Sequence, residues 1–236
     1  MSLVDDWLVM PPGRVNHVAF GTFCHIAVAL RDTRLRRWAG PFDWIFSSPG
    51  LIADCLEDDF ATLLDPGQLR SVPEAELTFG AKRQCRHPLY EERHGLPPLF
   101  NHHDPALVPA DAAALHRSVR RLRLALGTTR RNALYMMSET RRDERDIERL
   151  AALMAPLPSR NELVILTTSV APGRSRTERR HDLGNVAVRE VELGLATASL
   201  GIAYPDPADD ADLREVLGAV AREAAVRLNE SRGPSG

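Results

Sequence analysis

Apolar positions along the chain alternate between short β-branched runs and stretches with helical spacing. Val15 to Phe20 reads as a strand ending at Gly21, and Phe23, Ile26, Ala27 and Leu30 then mark one face of a helix running to about Arg31. Leu51 to Leu64 reads as a second helix, with Leu51, Ile52, Cys55, Leu56 and Phe60 mostly on one face. Ala110 to Leu126 is a third, opened by Pro109 and Asp111 and closed near Gly127. Then come a strand at Asn132 to Ser138, an amphipathic helix at Arg142 to Met154 and a buried strand at Glu162 to Ser169. Ala171 to Leu183, charged and punctuated by Gly and Pro, reads as a surface loop. Val186 to Glu192 and Leu200 to Tyr204 are strand candidates, and Asp209 to Leu228 is a closing helix.

This alternation predicts an α/β fold, a central mostly parallel sheet with helices on both faces, with a papain-like α+β core as the alternative. The expected organisation is one domain over residues 1–228, with an irregular insertion at about 65–110 and a disordered tail at 229–236. Residues 1–14 read as a polar lead-in. A long irregular stretch within a domain is usually functional or mobile, and this one contains Leu-Phe-Asn-His-His-Asp-Pro at 99–105.

Composition narrows the function classes. An apolar fraction of 44% and a charged fraction of 26% are those of an ordinary globular protein. A net charge of −2 makes no electrostatic case for nucleic acid or an anionic membrane. The basic residues are nearly all Arg, Lys82 being the only lysine. No apolar run approaches a membrane span, and the first residues lack the pattern of a signal peptide, so the expected compartment is the cytoplasm. Cys24, Cys55 and Cys85 are odd in number and widely spaced, which suits neither a disulfide framework nor a zinc site.

Cys24 changes the picture by its position, in the first turn of a helix just past the carboxyl end of a strand. The helix dipole and unpaired N–H groups there favour negative charge, which predicts a lowered thiol pKa; the alternative is a small buried apolar residue. A cysteine nucleophile needs a base, and that base needs an orienting group. His102 and His103 with Asp104 lie far downstream, as in many cysteine–histidine enzymes. His25 neighbours Cys24 but projects about 100° away around the helix, a poor dyad geometry. His17 reads as a packed residue, and His87, His94, His116 and His181 as solvent-facing. Asp43 or Asp104 would orient the imidazole. A metal bound by His102, His103 and Asp104 lacks any supporting spacing. Neither a GxGxxG nor a P-loop pattern is present, so no cofactor is expected.

Gly21-Thr-Phe-Cys24, Gly40-Pro-Phe-Asp-Trp44-Ile-Phe-Ser-Ser, Asp59-Phe60 and the Asn-His-His-Asp loop together resemble the DUF1796 family of papain-like cysteine peptidases. The resemblance spans roughly residues 15–105. It implies Cys24 as nucleophile, with Asp43 and the His103–Asp104 pair completing the site. The chain departs from the papain pattern: Cys-Gly-Ser-Cys-Trp is missing, and the histidine follows the cysteine by only about 80 residues.

The resulting expectation is a cysteine-dependent acyl-transfer enzyme, an amide or thioester hydrolase or an acyltransferase to an amine. Cys24 attacks, His103 moves the proton, Asp104 or Asp43 orients it, and Phe42, Trp44 and His102 line the substrate. Its partner is a small-molecule, peptide or acyl-thioester substrate, and the sequence does not reveal an oligomeric state. Two other classes remain open: a non-catalytic domain binding a small ligand or partner, and a carbohydrate-related transferase on a doubly wound sheet.

Overall fold

The β-branched run after the lead-in becomes β1 (Val15–Ala19), hydrogen-bonded in parallel to a strand more than a hundred residues away. The computed structural model describes residues 14–78, 80–140 and 143–230. In chain order the further elements are α1 (His25–Asp32), α2 (Pro49–Glu57), β2 (Arg70–Ser71), β3 (Cys85–Arg86), α3 (Pro88–His94) and α4 (Pro109–Leu126). They continue with β4 (Arg131–Ser138), α5 (Glu144–Met154), β5 (Arg160–Val170), β6 (Ser175–Leu183), β7 (Val186–Leu195) and α6 (Pro207–Glu230). The central sheet runs β1-β4-β5-β7-β6, parallel throughout except for β6, which is antiparallel to β7. The α/β expectation with a mostly parallel sheet holds.

Both faces of this sheet are covered, which is why β4 is buried at every position. Its side chains alternate. Leu134 and Met136 enter a core with Leu51 and Ile52 of α2, Val119 and Leu122 of α4, and Ile147 and Leu150 of α5. Ala133, Tyr135 and Met137 face Ile26 and Leu30 of α1 and Leu213 and Leu217 of α6. No helix among the described residues is long and apolar enough to cross a membrane.

Four elements differ from the sequence expectation. α2 stops at Glu57 instead of Leu64, because Asp59 and Phe60 take positive φ (50° and 61°). That turn drives Phe60 into the core, against Phe42. The insertion at 65–110 is not structureless: it holds the two-stranded β2–β3 pair and α3. In it His87, expected at the surface, is buried; its Nδ1 accepts from Tyr90 N at the start of α3, and its Nε2 donates to Thr62 O at 3.1 Å. His94 is also largely covered, bound to Asp54 at 3.0 Å.

Ala171 to Leu183, expected as a loop, contains edge strand β6. Periodicity misses it because both of its faces are charged, as edge strands commonly are: Arg179 pairs with Glu190 on β7, and Arg180 pairs with Glu223 on α6. Behind it Arg189 is fully buried with Glu162, Nε to Oε1 at 3.0 Å. Leu200 to Tyr204 is a loop rather than a strand, bent at Gly201 (φ 92°). The lead-in up to residue 13, the Arg142 start of the fourth predicted helix and residues 231–236 of the predicted tail lie outside the described residues; Asn229 and Glu230 belong to α6.

Candidate functional site

The turn after β1 is built so that Cys24 ends up at the carboxyl edge of the sheet. Gly21 takes φ 76°, and a Cβ there would fall on the Ser47 hydroxyl, so glycine is required on both counts. Its carbonyl accepts from Met137 N at 3.0 Å, and the Thr22 hydroxyl donates to Met137 O. The chain thus follows β4 past the end of β1 before turning into α1. Cys24 is the N-cap residue of α1 and makes no side-chain capping bond. The first N–H groups of that helix have no acceptors within it, as at any helix start.

The aromatic segment 40–48 clasps this turn. Ser47 N donates to Thr22 O at 3.2 Å, and Ser47 Oγ to Phe20 O at 3.1 Å. Phe46 N donates to Leu99 O at 3.0 Å, and Ile45 and Cys85 both bridge Phe100. This stitching brings the Asn-His-His-Asp loop to Cys24, although the two are nearly eighty residues apart.

The result is a cleft of about 510 Å³ outside the carboxyl ends of the strands, where open α/β sheets bind ligands. Cys24, Asn101, His102, Glu139 and Ser199 supply its polar wall. Phe23, Phe46, Leu200 and Ile202 supply the apolar one. Glu139 follows β4, and the 199–202 loop follows β7. Among the described residues no group of three or more His, Cys, Asp or Glu is placed to hold a metal ion.

Cys24 is only 4% exposed. Burial pushes its thiol up to about 11; a backbone hydrogen bond pulls it down, and the nearby Asp43 charge adds to the rise. The expected lowering by the helix terminus is therefore overturned, because desolvation of a thiolate outweighs the helix-end field here. Cys55, whose Sγ meets Tyr90 Oη at 3.8 Å, and Cys85 are also raised by burial.

Of the two adjacent histidines, the one sharing the cleft with Cys24 is His102, not His103. Burial lowers the His102 pKa, and the neighbouring His103 lowers it further. Its orientation comes from a chain of amides. Gln84 Oε1 accepts from Thr78 N at 3.0 Å, and Gln84 Nε2 donates to Asn101 Oδ1 at 2.6 Å. The Asn101 oxygen is thereby occupied, and its Nδ2 faces His102 Nε2 at 3.2 Å. A neutral His102 accepting at Nε2 carries its proton on Nδ1.

The other residues expected at the site serve elsewhere. His103 turns to Asp111, Nδ1 to Oδ1 at 3.2 Å, and lines a separate cavity of about 160 Å³ with Trp44 and Leu115. Trp44 forms a wall of that cavity instead of the cleft, with the Arg36 guanidinium 5.6 Å from its ring centre. Asp104 caps the turn before α4: Oδ1 accepts from Ala106 N and Leu107 N at 3.1 Å, and Oδ2 from the Ser71 hydroxyl. Asp43 is buried in a pair with Arg36, its Oδ1 without a hydrogen-bond partner among the described residues. Burial raises its carboxyl to about 7, against the pull of Arg36. Phe42 is not a substrate wall; it is fully buried, edge-on to Phe20 at 5.6 Å.

Glu139, Ser199 and the Leu200–Ile202 pair escaped sequence reasoning, because Glu139 follows β4 and the other three follow β7, and no spacing links the two segments. His25 acts as a tie: its Nδ1 pairs with Ser199 Oγ at 2.8 Å and its Nε2 with Asp210 Oδ1 at 3.1 Å, joining the 199–202 loop and α6 to α1. Compared with protein-family models, with curated proteins and with solved structures, the chain matches none.

Proposed function

We propose that the protein is a cysteine-dependent acyl-transfer enzyme acting on a small-molecule or peptide substrate, with Cys24 as nucleophile and His102 as base. The observation that carries this reading is the shared cleft: the thiol at the start of α1 and, among the described residues, the only imidazole on the cleft wall. It is the activity that the DUF1796 resemblance implies, with the base moved from His103 to His102. The chemistry needs a reduced thiol, which a cytoplasm supplies.

In this mechanism the thiol is protonated at rest, so its proton leaves as sulfur attacks the carbonyl carbon. His102 takes that proton, which requires the Asn101 amide to release Nε2 or the ring to turn when substrate enters. The first N–H groups of α1 stabilise the tetrahedral oxyanion. The leaving amine or thiol departs with the proton from His102, and water or an amine then attacks the acyl-Cys24 thioester, returning the thiolate to its protonated state.

A second reading is a non-catalytic site for a small polar ligand. The raised Cys24 pKa favours it, since little thiolate exists near neutral pH. The experiment that separates the two is acylation by an activated ester, read by peptide mass, with alkylation rates followed against pH. Acyl transfer requires acylation at Cys24, lost in His102→Ala and retained in His103→Ala. No adduct at Cys24, together with alkylation unaffected by His102→Ala, selects the binding site instead.

A further inference from the structure

The cleft beside Cys24 has a chemical polarity of its own. Leu200 and Ile202 are 73% and 52% exposed, and both lie along its apolar side with Phe23 and Phe46. Their exposure does not come from a loose loop. Ser199 N donates to Glu139 Oε1 at 2.8 Å, the Ser199 hydroxyl meets His25, Gly201 N donates back to Ser199 Oγ at 3.0 Å, and Leu200 N reaches Ala203 O at 2.9 Å. Large aliphatic side chains held outward on a pinned loop, against an open cavity, mark a place where apolar surface is to be covered.

The charge of the lining is one-sided. Among the described residues Glu139 is its one ionic side chain, since burial and His103 keep His102 toward the neutral form. Acidic groups also act on the residues around it: Asp43 on Cys24, and Glu139 on Tyr204, whose phenol burial already raises to about 12. An anionic group placed at the Glu139 end would meet repulsion with no cationic side chain on the described wall to offset it, the N–H groups of α1 lying at the Cys24 end. An ammonium group would find a carboxylate.

We infer that the cleft takes an aliphatic primary amine as its ammonium ion, the charge at Glu139 and the tail across Leu200 and Ile202. This rests on reading the cleft as the ligand site beside Cys24. As acyl acceptor the ammonium first gives a proton to His102 and attacks the acyl-Cys24 thioester as the free amine. As leaving group the amine takes the proton from His102 as the acyl–nitrogen bond breaks and is protonated again once released.

Calorimetric titration of the full chain with hexylammonium, 1-hexanol and hexanoate tests it. Hexylammonium binds about fivefold tighter than hexanoate, the upper end of the effect expected for one partly exposed charge contact. Glu139→Gln, which keeps an acceptor for Ser199 N, brings the two ligands level. Leu200→Ser/Ile202→Ser weakens all three, and thermal unfolding confirms that each variant is folded. Equal or tighter binding of hexanoate overturns the inference, as does no binding at all, or a preference that survives Glu139→Gln. The same titration on Cys24→Ala separates this inference from the catalytic one. Binding retained there, in a protein whose wild type is never acylated, removes the enzyme and leaves the amine site; acylation without amine binding does the reverse.

Discussion

Asn101 and His102 are neighbours in sequence and partners in space, Nδ2 to Nε2 at 3.2 Å, with the Asn101 oxygen already committed to Gln84. That commitment dictates the tautomer. Asn101→Asp replaces the donor with an acceptor, moves the imidazole proton to Nε2 and raises the His102 pKa by placing a carboxylate beside it. Nitrogen-15 shifts of the imidazole read both changes. A wild-type His102 already protonated on Nε2 would falsify the assignment.

Phe42 and Trp44 stand two residues apart in the aromatic segment and do different work. Phe42→Ala removes a fully buried ring packed on Phe20 and Phe60, at a cost of ~3–5 kcal/mol in unfolding free energy. Trp44→Ala, on the rim of the His103 cavity, costs much less and leaves Cys24 alkylation unchanged. Urea unfolding and alkylation rates check the pair; an altered Cys24 rate in folded Trp44→Ala would return Trp44 to the site.

Gly21 has no room for a methyl group and a backbone that resists one. Gly21→Ala is expected to cost about 2 kcal/mol or more, combining backbone strain with displacement of Ser47. In a Ser47→Ala background the added cost shrinks, because the hydroxyl obstruction is gone while the φ strain stays. Denaturant unfolding of the four proteins measures this coupling, and strict additivity would separate Gly21 from Ser47.

Two buried groups give opposite pH dependences. Asp43 titrates near 7 in the folded chain against an ordinary 3.8, so between those values the folded state holds a proton that the unfolded state has released. Stability from this group is full in acid and is lost as pH rises through about 7. Burial lowers His17 from 6.5 to about 4, so its contribution is full above 6.5 and is lost as pH falls toward 4. Over the window the two groups share, from about 4 to 6.5, their slopes oppose each other, so unfolding free energy should climb more steeply with pH in Asp43→Asn and fall more steeply with pH in His17→Gln. Slopes unchanged in both variants would assign the pH dependence to other groups.

Helices with one buried face and strands that are apolar runs were readable from residue pattern: β1, α1, α4, β4 and α6 fall within a few residues of their expected bounds. β6 was not, because a strand charged on both faces has no apolar alternation to read. α2 was overextended, because Phe60 fits the helical spacing while entering the core by a left-handed turn. His87 looked polar and exposed among arginines, and only its bonds to Tyr90 N and Thr62 O reveal a buried cap.

Residue pattern alone put Cys24 at a strand–helix junction, favoured a mostly parallel sheet with helices on both faces over a papain-like α+β core, and marked the aromatic and histidine segments as the distinctive ones. The tertiary structure decided which of them meet. Side-chain direction along an irregular loop has no period, so nothing in the order His102-His103-Asp104 tells which imidazole reaches the cleft. Backbone pairing of Phe46 with Leu99 and the bond from Gln84 to Asn101 put His102 on the wall of the cleft that Cys24 lines, while Asp111 holds His103 in a separate cavity. The thiol's pKa is likewise a property of the fold, because desolvation depends on everything packed around Cys24 and a helix start is only one contributor.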